Sequence, residues 1–232
     1  MINKYINVIE SFLSFQGEGK NSGERVLILR FKRCSRAETK EHGGLGKKCP
    51  WCDTFLRMRI NAETELTLSN IQQIIDNEKC SILLTGGEPT FGPNLFATIN
   101  VINNIQCNLI NVETNGHDIL TLFKEVNKKS NIIYSLSPKL FDKEDEVFYK
   151  NLIQKTKTIE SVHIKLVYED RPEIINFLDY LQEIEYPKSN IWLMPEGQTK
   201  EEILEHAPKV FDAAEKYKTN FSSRDHRIYG FV

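Results

Sequence analysis

The chain has 232 residues, of which 40% are hydrophobic and 27% charged, a composition typical of a folded globular protein and unlike that of a disordered one. Its formal net charge of −2 gives no electrostatic basis for binding nucleic acid or a membrane surface. No apolar run approaches the ~20 residues that a membrane span needs, and the N-terminal residues lack a signal-peptide pattern. We therefore expect a cytoplasmic protein without nucleic-acid or membrane partners.

Short apolar strands alternate with amphipathic helices along most of the chain. Strands are predicted at Asn7–Phe15, Val26–Phe31, Cys80–Thr85, Asn108–Glu113, Asn131–Ser135, Ser161–Val167 and Ile191–Met194. Helices are predicted at Ser69–Asn77 with Ser69 as the N-cap, Pro93–Asn104, Ile119–Lys128, Glu144–Lys155, from Arg171–Pro172 onward, and Lys200–Tyr217. The C-terminal HRIYGFV is expected to add one more edge segment.

This alternation implies parallel strands joined by right-handed crossovers, and hence an α/β fold. The pattern contains about six βα units, which is fewer than a closed eight-stranded barrel requires. No linker rich in proline, glycine or serine divides the chain. We therefore predict an open, partial β/α barrel in a single domain that spans residues 1–232.

Three cysteines stand close together after the second predicted strand. Cys34, Cys49 and Cys52 have the spacing C-x14-C-x2-C within the segment 32–54. Three thiolates can hold three corners of a cubane iron–sulfur cluster and leave the fourth iron open, whereas four thiolates would close the cluster. The spacing alone also suits a C-x-x-C redox pair, and a Cys3His zinc site that includes His42.

The other two cysteines carry no such signal. Cys80 and Cys107 lie in or next to apolar runs and are expected to be buried small hydrophobes. Five cysteines in a protein without a secretion signal also argue against a disulfide framework.

Small, polar and turn-forming residues follow nearly every predicted strand. The segments are QGEG at 16–19, GGEP at 86–89, ETNG at 113–116, SLSPK at 135–139 and MPEGQ at 194–198. In parallel α/β folds the loops after the strands share one face, where functional groups collect. Turn geometry explains any one of these segments, but all of them together with three cysteines predict a functional site.

Seven motifs of the chain resemble one family of the radical S-adenosylmethionine (SAM) superfamily. FQGEG, RFKRC, the C-x14-C-x2-C spacing, CDT, TGGEP, ETNG and SPK resemble the 7-carboxy-7-deazaguanine synthase family over about residues 8–200. Most superfamily members use C-x3-C-x2-C, and the extended spacing matches a known variant within this family. The resemblance implies a radical SAM fold.

The resemblance also implies a reaction. A [4Fe–4S] cluster on Cys34, Cys49 and Cys52 would bind SAM at its open iron and cleave it to a 5′-deoxyadenosyl radical. The substrate would be 6-carboxy-5,6,7,8-tetrahydropterin, from which hydrogen abstraction at C6, ring contraction and loss of ammonia would give 7-carboxy-7-deazaguanine. This product belongs to the biosynthesis of queuosine and related 7-deazapurines.

Site residues are implied in the same way. SAM would be bound by Gly86, Gly87, Glu88, Thr114, Ser135, Ser137 and Gln198. Gln16 and Glu18 would bind the amino-pyrimidinone edge of the pterin, since a carboxylate suits adjacent N–H donors. Arg30 would bind the substrate carboxylate as a bidentate guanidinium, and the Thr54 hydroxyl would contact a Mg²⁺ ion shared with that carboxylate.

The sequence leaves the conformation or role of some features unassigned. The insert at 35–48 has no assigned conformation, and Arg224–Arg227 favours a solvated tail over a substrate lid. A homodimer and a reducing flavodoxin or ferredoxin are expected as partners. The alternatives are a glycyl-radical activating enzyme or, in a different class, a zinc-binding structural protein.

Overall fold

The computed structural model describes residues 4–52, 54, 63–127 and 131–231. Asp53 of the cysteine segment, the predicted helix end at Lys128 and the last residue, Val232, lie outside the described residues. The chain divides into two compact units, the first formed by residues 1–15 and 24–134 and the second by residues 16–23 and 135–232.

The first unit is built on a mostly parallel sheet. Its strands are β1 Tyr5–Val8, β2 Glu10–Phe15, β3 Arg25–Phe31, β4 Thr64–Thr67, β5 Ser81–Gly86 and β6 Ile110–Thr114. The order is β2-β3-β5-β6, in which β2 pairs antiparallel with β3 and the others pair parallel. β1 and β4 form a separate antiparallel pair, so the predicted strand at 7–15 is in fact two strands.

Three helices belong to the first unit, α1 Leu68–Glu78, α2 Pro93–Asn104 and α3 Ile119–Glu125. The α2 bounds agree with the prediction. The N-cap of α1 is Thr67 rather than the predicted Ser69, because the Thr67 hydroxyl accepts a 2.9 Å hydrogen bond from the Asn70 N–H. The strand β3 is buried along most of its length, as its continuous apolar character predicts.

The second unit carries parallel strands in the order β8-β9-β10. These are β8 Val162–Tyr168, β9 Ile191–Pro195 and β10 Asn220–Phe221, and β7 Ile132–Leu136 runs across the boundary of the two units. The helices are α4 Lys143–Thr156, α5 Pro172–Glu183, α6 Lys200–Tyr217 and α7 Asp225–Tyr229. The edge segment predicted for HRIYGFV is wrong: residues 225–229 form α7, and β10 lies before it.

Within the described residues, β5, β6, β7, β8 and β9 are each followed by a helix. In each unit the strands form a linear series that ends at an edge strand, β2 in the first and β10 in the second. The predicted α/β class with an open sheet is confirmed, whereas the single-domain boundary stays a prediction. None of the helices in the described ranges has both the length and the apolar character needed to cross a membrane.

A capping box begins the longest helix, α6, directly after the candidate residue Gln198. The Thr199 hydroxyl accepts from the Glu202 N–H at 3.2 Å, and the Glu202 carboxylate accepts from the Thr199 N–H at 3.1 Å. We expect Thr199→Ala to lower the free energy of unfolding by about 1 kcal/mol, because one helix-end donor loses its partner. Urea denaturation measures this, and Lys209→Ala on the exposed face of α6 is the control. Equal losses in both variants would contradict a role for the cap.

Candidate functional site

The cysteine segment begins where β3 ends. The Cys34 carbonyl accepts hydrogen bonds from the N–H groups of Ala37 and Glu38 at 3.1 and 2.9 Å, and the Cys49 carbonyl accepts from the Cys52 N–H at 3.2 Å. Each cysteine of the predicted motif is a free thiol of intermediate exposure. The three cysteines therefore lie in short turns formed within the segment itself.

The insert at 35–48 folds back on itself. The Leu45 N–H donates to the Ser35 carbonyl and the Lys47 N–H donates to the Arg36 carbonyl, both at 2.7 Å. The buried Arg36 side chain donates through Nε to the Lys47 carbonyl at 3.3 Å. The insert thus has a defined, doubled-back conformation, for which the sequence had given no prediction.

Three cysteine thiols are a donor set that suits a soft metal. Burial, followed by the negative charge of Glu88, raises the pKa of the Cys34 thiol to about 12. A thiol in such a place becomes a thiolate when a metal binds it, because the metal replaces the proton. Three thiolates fit an iron–sulfur cluster that keeps one iron open.

No three His, Cys, Asp or Glu side chains of the described ranges meet where they could hold one metal ion. The imidazole Nδ1 of His42 lies 3.2 Å from the Thr39 hydroxyl and 3.8 Å from the Glu38 carboxylate, so its contacts are with its own loop. The cluster ligands therefore stay a prediction.

The GGEP loop packs directly against the backbone that leads into Cys34. The Gly87 N–H donates to the Phe31 carbonyl at 2.8 Å, and the Glu88 N–H donates to the Arg33 carbonyl at 2.7 Å. A Cβ atom on Gly87 would lie 2.0 Å from the Arg33 carbonyl oxygen, and Gly86 has a positive φ of 105°. Both glycines are therefore required by the backbone geometry itself.

The Glu88 carboxylate is buried at the centre of this region. Its Oε1 accepts from the Thr90 N–H at 3.0 Å and from the Thr114 hydroxyl at 2.6 Å, and its Oε2 accepts from the Asn115 N–H at 2.6 Å. Burial raises the pKa of Glu88, and these hydrogen bonds oppose the shift. The carboxylate thereby joins the GGEP loop to the ETNG loop.

Asn115 extends the connection to the cysteine segment, because its side-chain amide donates to the Ser35 hydroxyl at 3.0 Å. Three predicted motifs, RFKRC, GGEP and ETNG, are thus brought together in the first unit. Two predicted SAM ligands, Glu88 and Thr114, bond to each other and are 1% and 3% exposed. Their contact with SAM stays a prediction.

Arg30 and Thr54 also lie together in the first unit. The Arg30 guanidinium contacts the Glu10 carboxylate through Nε at 2.7 Å and the Thr54 hydroxyl through Nη1 at 3.3 Å. Thr54 is buried, and the Arg30 side chain is largely so. Two residues assigned separately to the substrate carboxylate and to Mg²⁺ are therefore neighbours.

Gln16 and Glu18 belong to the second unit. The Gln16 side-chain oxygen accepts from the Gly17 N–H at 3.0 Å. The Glu18 carboxylate binds Lys165 Nζ through Oε2 at 2.6 Å and Arg224 Nε through Oε1 at 3.0 Å. Burial alone would raise the pKa of Glu18, but the charges of Lys165 and Arg224, with His226 beside them, hold it far below its ordinary value.

The expectation of a solvated tail at Arg224 is wrong. This residue is 5% exposed, and its guanidinium bonds to the Gly197 carbonyl as well as to Glu18. Sequence reasoning also missed Lys165. A lysine in the middle of the apolar strand VHIKLVY was the available signal, because buried lysines are almost always paired.

The remaining predicted SAM ligands lie in the second unit at strand ends. Ser135 and Ser137 are buried at the end of β7, where Lys139 Nζ donates to the Ser137 hydroxyl at 2.7 Å. Gln198 follows β9, and its backbone N–H donates to Glu202 at 2.7 Å. Their roles stay predictions.

Known proteins resemble this chain along nearly all its length, although no protein-family model matches it. A 7-carboxy-7-deazaguanine synthase of Hyperthermus butylicus is 24% identical over 98% of this chain and 94% of its own. A protein of the same name from Clostridium acetobutylicum is 27% identical over 81% of this chain and 80% of its own. The crystal structure of QueE from Escherichia coli matches with a TM-score of 0.55 at 18% identity, covering 96% of this chain and 95% of that one.

The α/β fold agrees with the fold that the resemblance to radical SAM enzymes implied. Within this class, the resemblance predicted from the motifs is confirmed by the relatives. They support placing the chain in the 7-carboxy-7-deazaguanine synthase family.

Gly87→Ala tests the packing of the GGEP loop. We expect iron and sulfide incorporation to fall severalfold, since the new methyl group cannot lie 2.0 Å from the Arg33 carbonyl oxygen and the loop must move. Iron and sulfide content after anaerobic reconstitution is the measurement. Gly46→Ala is the control for backbone strain without a clash, because Gly46 has a positive φ of 67° but has no atom within 4 Å of an added Cβ. Equal cluster content in both variants would contradict this packing role.

Proposed function

We propose that this chain is a radical SAM carbon–nitrogen lyase that converts 6-carboxy-5,6,7,8-tetrahydropterin to 7-carboxy-7-deazaguanine. The observation that carries the proposal is the hydrogen-bonded network around Glu88. It ties the GGEP and ETNG motifs to the cysteine segment in a chain whose relatives share the synthase name. Neither a zinc-binding structural protein nor an activating enzyme has an observation of its own in its favour.

Cys34, Cys49 and Cys52 would hold the [4Fe–4S] cluster, and Gly86, Gly87, Glu88, Thr114, Ser135, Ser137 and Gln198 would bind SAM. When bound, the reduced cluster and SAM supply a 5′-deoxyadenosyl radical that abstracts hydrogen from C6 of the substrate. The chain's own task is then to fix its loops and to orient the pterin. The glycines serve this task because their backbone lies in contact with the segment that ends at Cys34.

Arg30 would bind the substrate carboxylate. A guanidinium forms two parallel hydrogen bonds with a carboxylate, and Glu10 fixes the Nε edge of this one. Thr54, in contact with the same guanidinium, would offer its hydroxyl to Mg²⁺. Magnesium keeps few protein ligands and completes its shell with water and substrate oxygens. The Arg30–Thr54 contact supports a shared carboxylate and Mg²⁺ site.

Glu18 and Gln16 would bind the amino-pyrimidinone edge of the pterin. The lowered pKa keeps the Glu18 carboxylate ionised at neutral pH, so it can accept from adjacent N–H donors. Gln16 lies two residues earlier in the chain, is buried, and supplies an amide that can both donate and accept. The pair matches the mixed donor and acceptor pattern of that edge.

We further propose that the protein is a cytoplasmic homodimer. A flavodoxin or a ferredoxin would reduce its cluster. Tyr229 on the C-terminal helix is 74% exposed, and with Ile228 and Phe231 it offers apolar surface that a second copy could cover. Large exposed aromatic side chains are enriched at subunit interfaces.

Anaerobic reconstitution with iron and sulfide, followed by SAM, dithionite, Mg²⁺ and 6-carboxytetrahydropterin, tests the activity. We expect mass spectrometry to detect 7-carboxy-7-deazaguanine with the wild-type chain. The variants Cys34→Ala, Cys49→Ala and Cys52→Ala should lose the product entirely, because each removes a cluster ligand. Cys107→Ala, which changes a cysteine outside the motif, is the matched control and should stay active.

Each negative outcome has a distinct meaning. Cluster formation and SAM cleavage without a deazapurine would keep the class and reject the substrate. A colourless protein that binds zinc, and loses zinc in His42→Ala, would reject the class itself.

Arg30→Lys tests the carboxylate site. We expect KM for the pterin to rise roughly tenfold or more, since a lysine cannot make the bidentate contact and charged hydrogen bonds contribute about 1.5–3 kcal/mol. SAM cleavage without the pterin should not change. The control is Arg25→Lys on the same strand, where the exposed arginine pairs with Glu78. A similar KM in both variants would contradict the assignment of Arg30.

A further inference from the structure

The C-terminal segment 222–226 is bonded along its length to the loop 16–22. The Asp225 N–H donates to the Gly17 carbonyl at 2.9 Å, and the Ser222 hydroxyl accepts from the Gly19 N–H at 2.7 Å. The Ser22 hydroxyl donates to the Asp225 carboxylate at 2.5 Å. The segment is therefore a fixed part of the structure around the loop that carries Gln16 and Glu18.

Glu18 is the charged centre of this contact. Its two carboxylate oxygens bind different cations: Oε2 lies 2.6 Å from Lys165 Nζ and Oε1 lies 3.0 Å from Arg224 Nε. His226 Nε2 stands 3.8 Å from Oε1. Both cationic side chains are less than one-tenth exposed. One comes from the middle of β8 and the other from the C-terminal segment, so the carboxylate is held from two sides.

Two fixed cations orient a carboxylate without occupying all of its hydrogen-bond acceptor positions. Each oxygen of an ionised carboxyl group has two acceptor positions, so four are present and Lys165 and Arg224 take two. The remaining acceptor positions can receive two N–H donors. The Arg224 guanidinium is itself fixed, because it also donates to the Gly197 carbonyl.

We propose that Lys165 and Arg224 are positioning residues for substrate recognition, which hold Glu18 in the orientation that accepts two N–H donors of an amino-pyrimidinone. Neither residue needs to touch the substrate, since both act through the Glu18 carboxylate. This proposal rests on the proposed function, because it specifies how one of its substrate contacts is built.

A double-mutant cycle between Arg224→Gln and Glu18→Gln tests it. Binding of 6-carboxy-5,6,7,8-tetrahydropterin to the reconstituted protein is measured by anaerobic calorimetry. We expect Arg224→Gln and Lys165→Gln each to weaken binding about 30-fold or more, as truncating one partner of a buried charge pair does. In the Glu18→Gln background the same changes should alter binding by less than about threefold.

Two further variants separate charge from folding. Arg224→Lys keeps the cation and should recover most of the binding lost in Arg224→Gln. Lys155→Gln removes an exposed cation of α4 and should bind the pterin like the wild type. Thermal unfolding of every variant reports damage to the fold, and kcat should fall much less than KM rises.

The outcomes distinguish this inference from the proposed function. A wild-type chain that neither binds nor converts the pterin would overturn both. If the wild type binds the pterin and Arg224→Gln binds it equally well, only the positioning role is overturned. The same holds if Arg224→Gln weakens binding equally with and without Glu18, because Arg224 would then act on the fold rather than through that carboxylate.

Discussion

The buried carboxylate of Glu88 is the constraint on which the first unit depends. A carboxylate away from water is costly unless donors surround it, and Glu88 has donors from its own loop at Thr90 and from the next loop at Thr114 and Asn115. Moving the two loops apart would remove the Thr114 and Asn115 donors and leave Oε2 of this group without its Asn115 partner. Since Glu88 also donates its N–H to the Arg33 carbonyl, one residue fixes the distance between the backbone before Cys34 and the ends of β5 and β6.

In the second unit, a largely buried carboxylate is stabilised by cationic side chains instead. Glu18 is paired with two cations, whereas Glu88 is surrounded by hydroxyl and amide donors, and their pKa values move in opposite directions for that reason. Glu18 remains an anion at neutral pH. Its folded-state pKa is depressed, so its contribution to stability is present above its ordinary pKa and is lost as the pH falls toward the folded-state value.

Local signals predicted much of the fold. Pro93 at the first turn and the periodic apolar residues of α6 gave both helices their observed bounds. The signals failed where a distant partner decides the structure. Arg224 is 206 residues from Glu18 in sequence, so nothing near HRIYGFV indicated a buried ion pair instead of an edge segment or a solvated tail. The Thr67 cap was missed because serine is, by propensity, a better N-cap residue than threonine, and only the backbone geometry shows that the helix begins after Thr67.

The candidate site was likewise predictable from the sequence only in part. Its motif residues were accessible from sequence because a resemblance supplied them, and the structure added which of them share hydrogen bonds. Lys165 and Arg224 belong to none of the motifs. The apolar strand around Lys165 indicated a paired lysine, but only the contacts show that Glu18 is the partner of both cations. In the proposed reaction the radical would come from SAM and the cluster, and the cysteines that would hold the cluster are common to the whole class. The selectivity of the proposed function would therefore depend on residues such as Glu18 and Arg30, whose opposite charges suit a ligand with both N–H donors and a carboxylate. What fixes those two side chains, Glu10 for Arg30 and the two cations for Glu18, is then as much a part of the recognition as the contacts themselves.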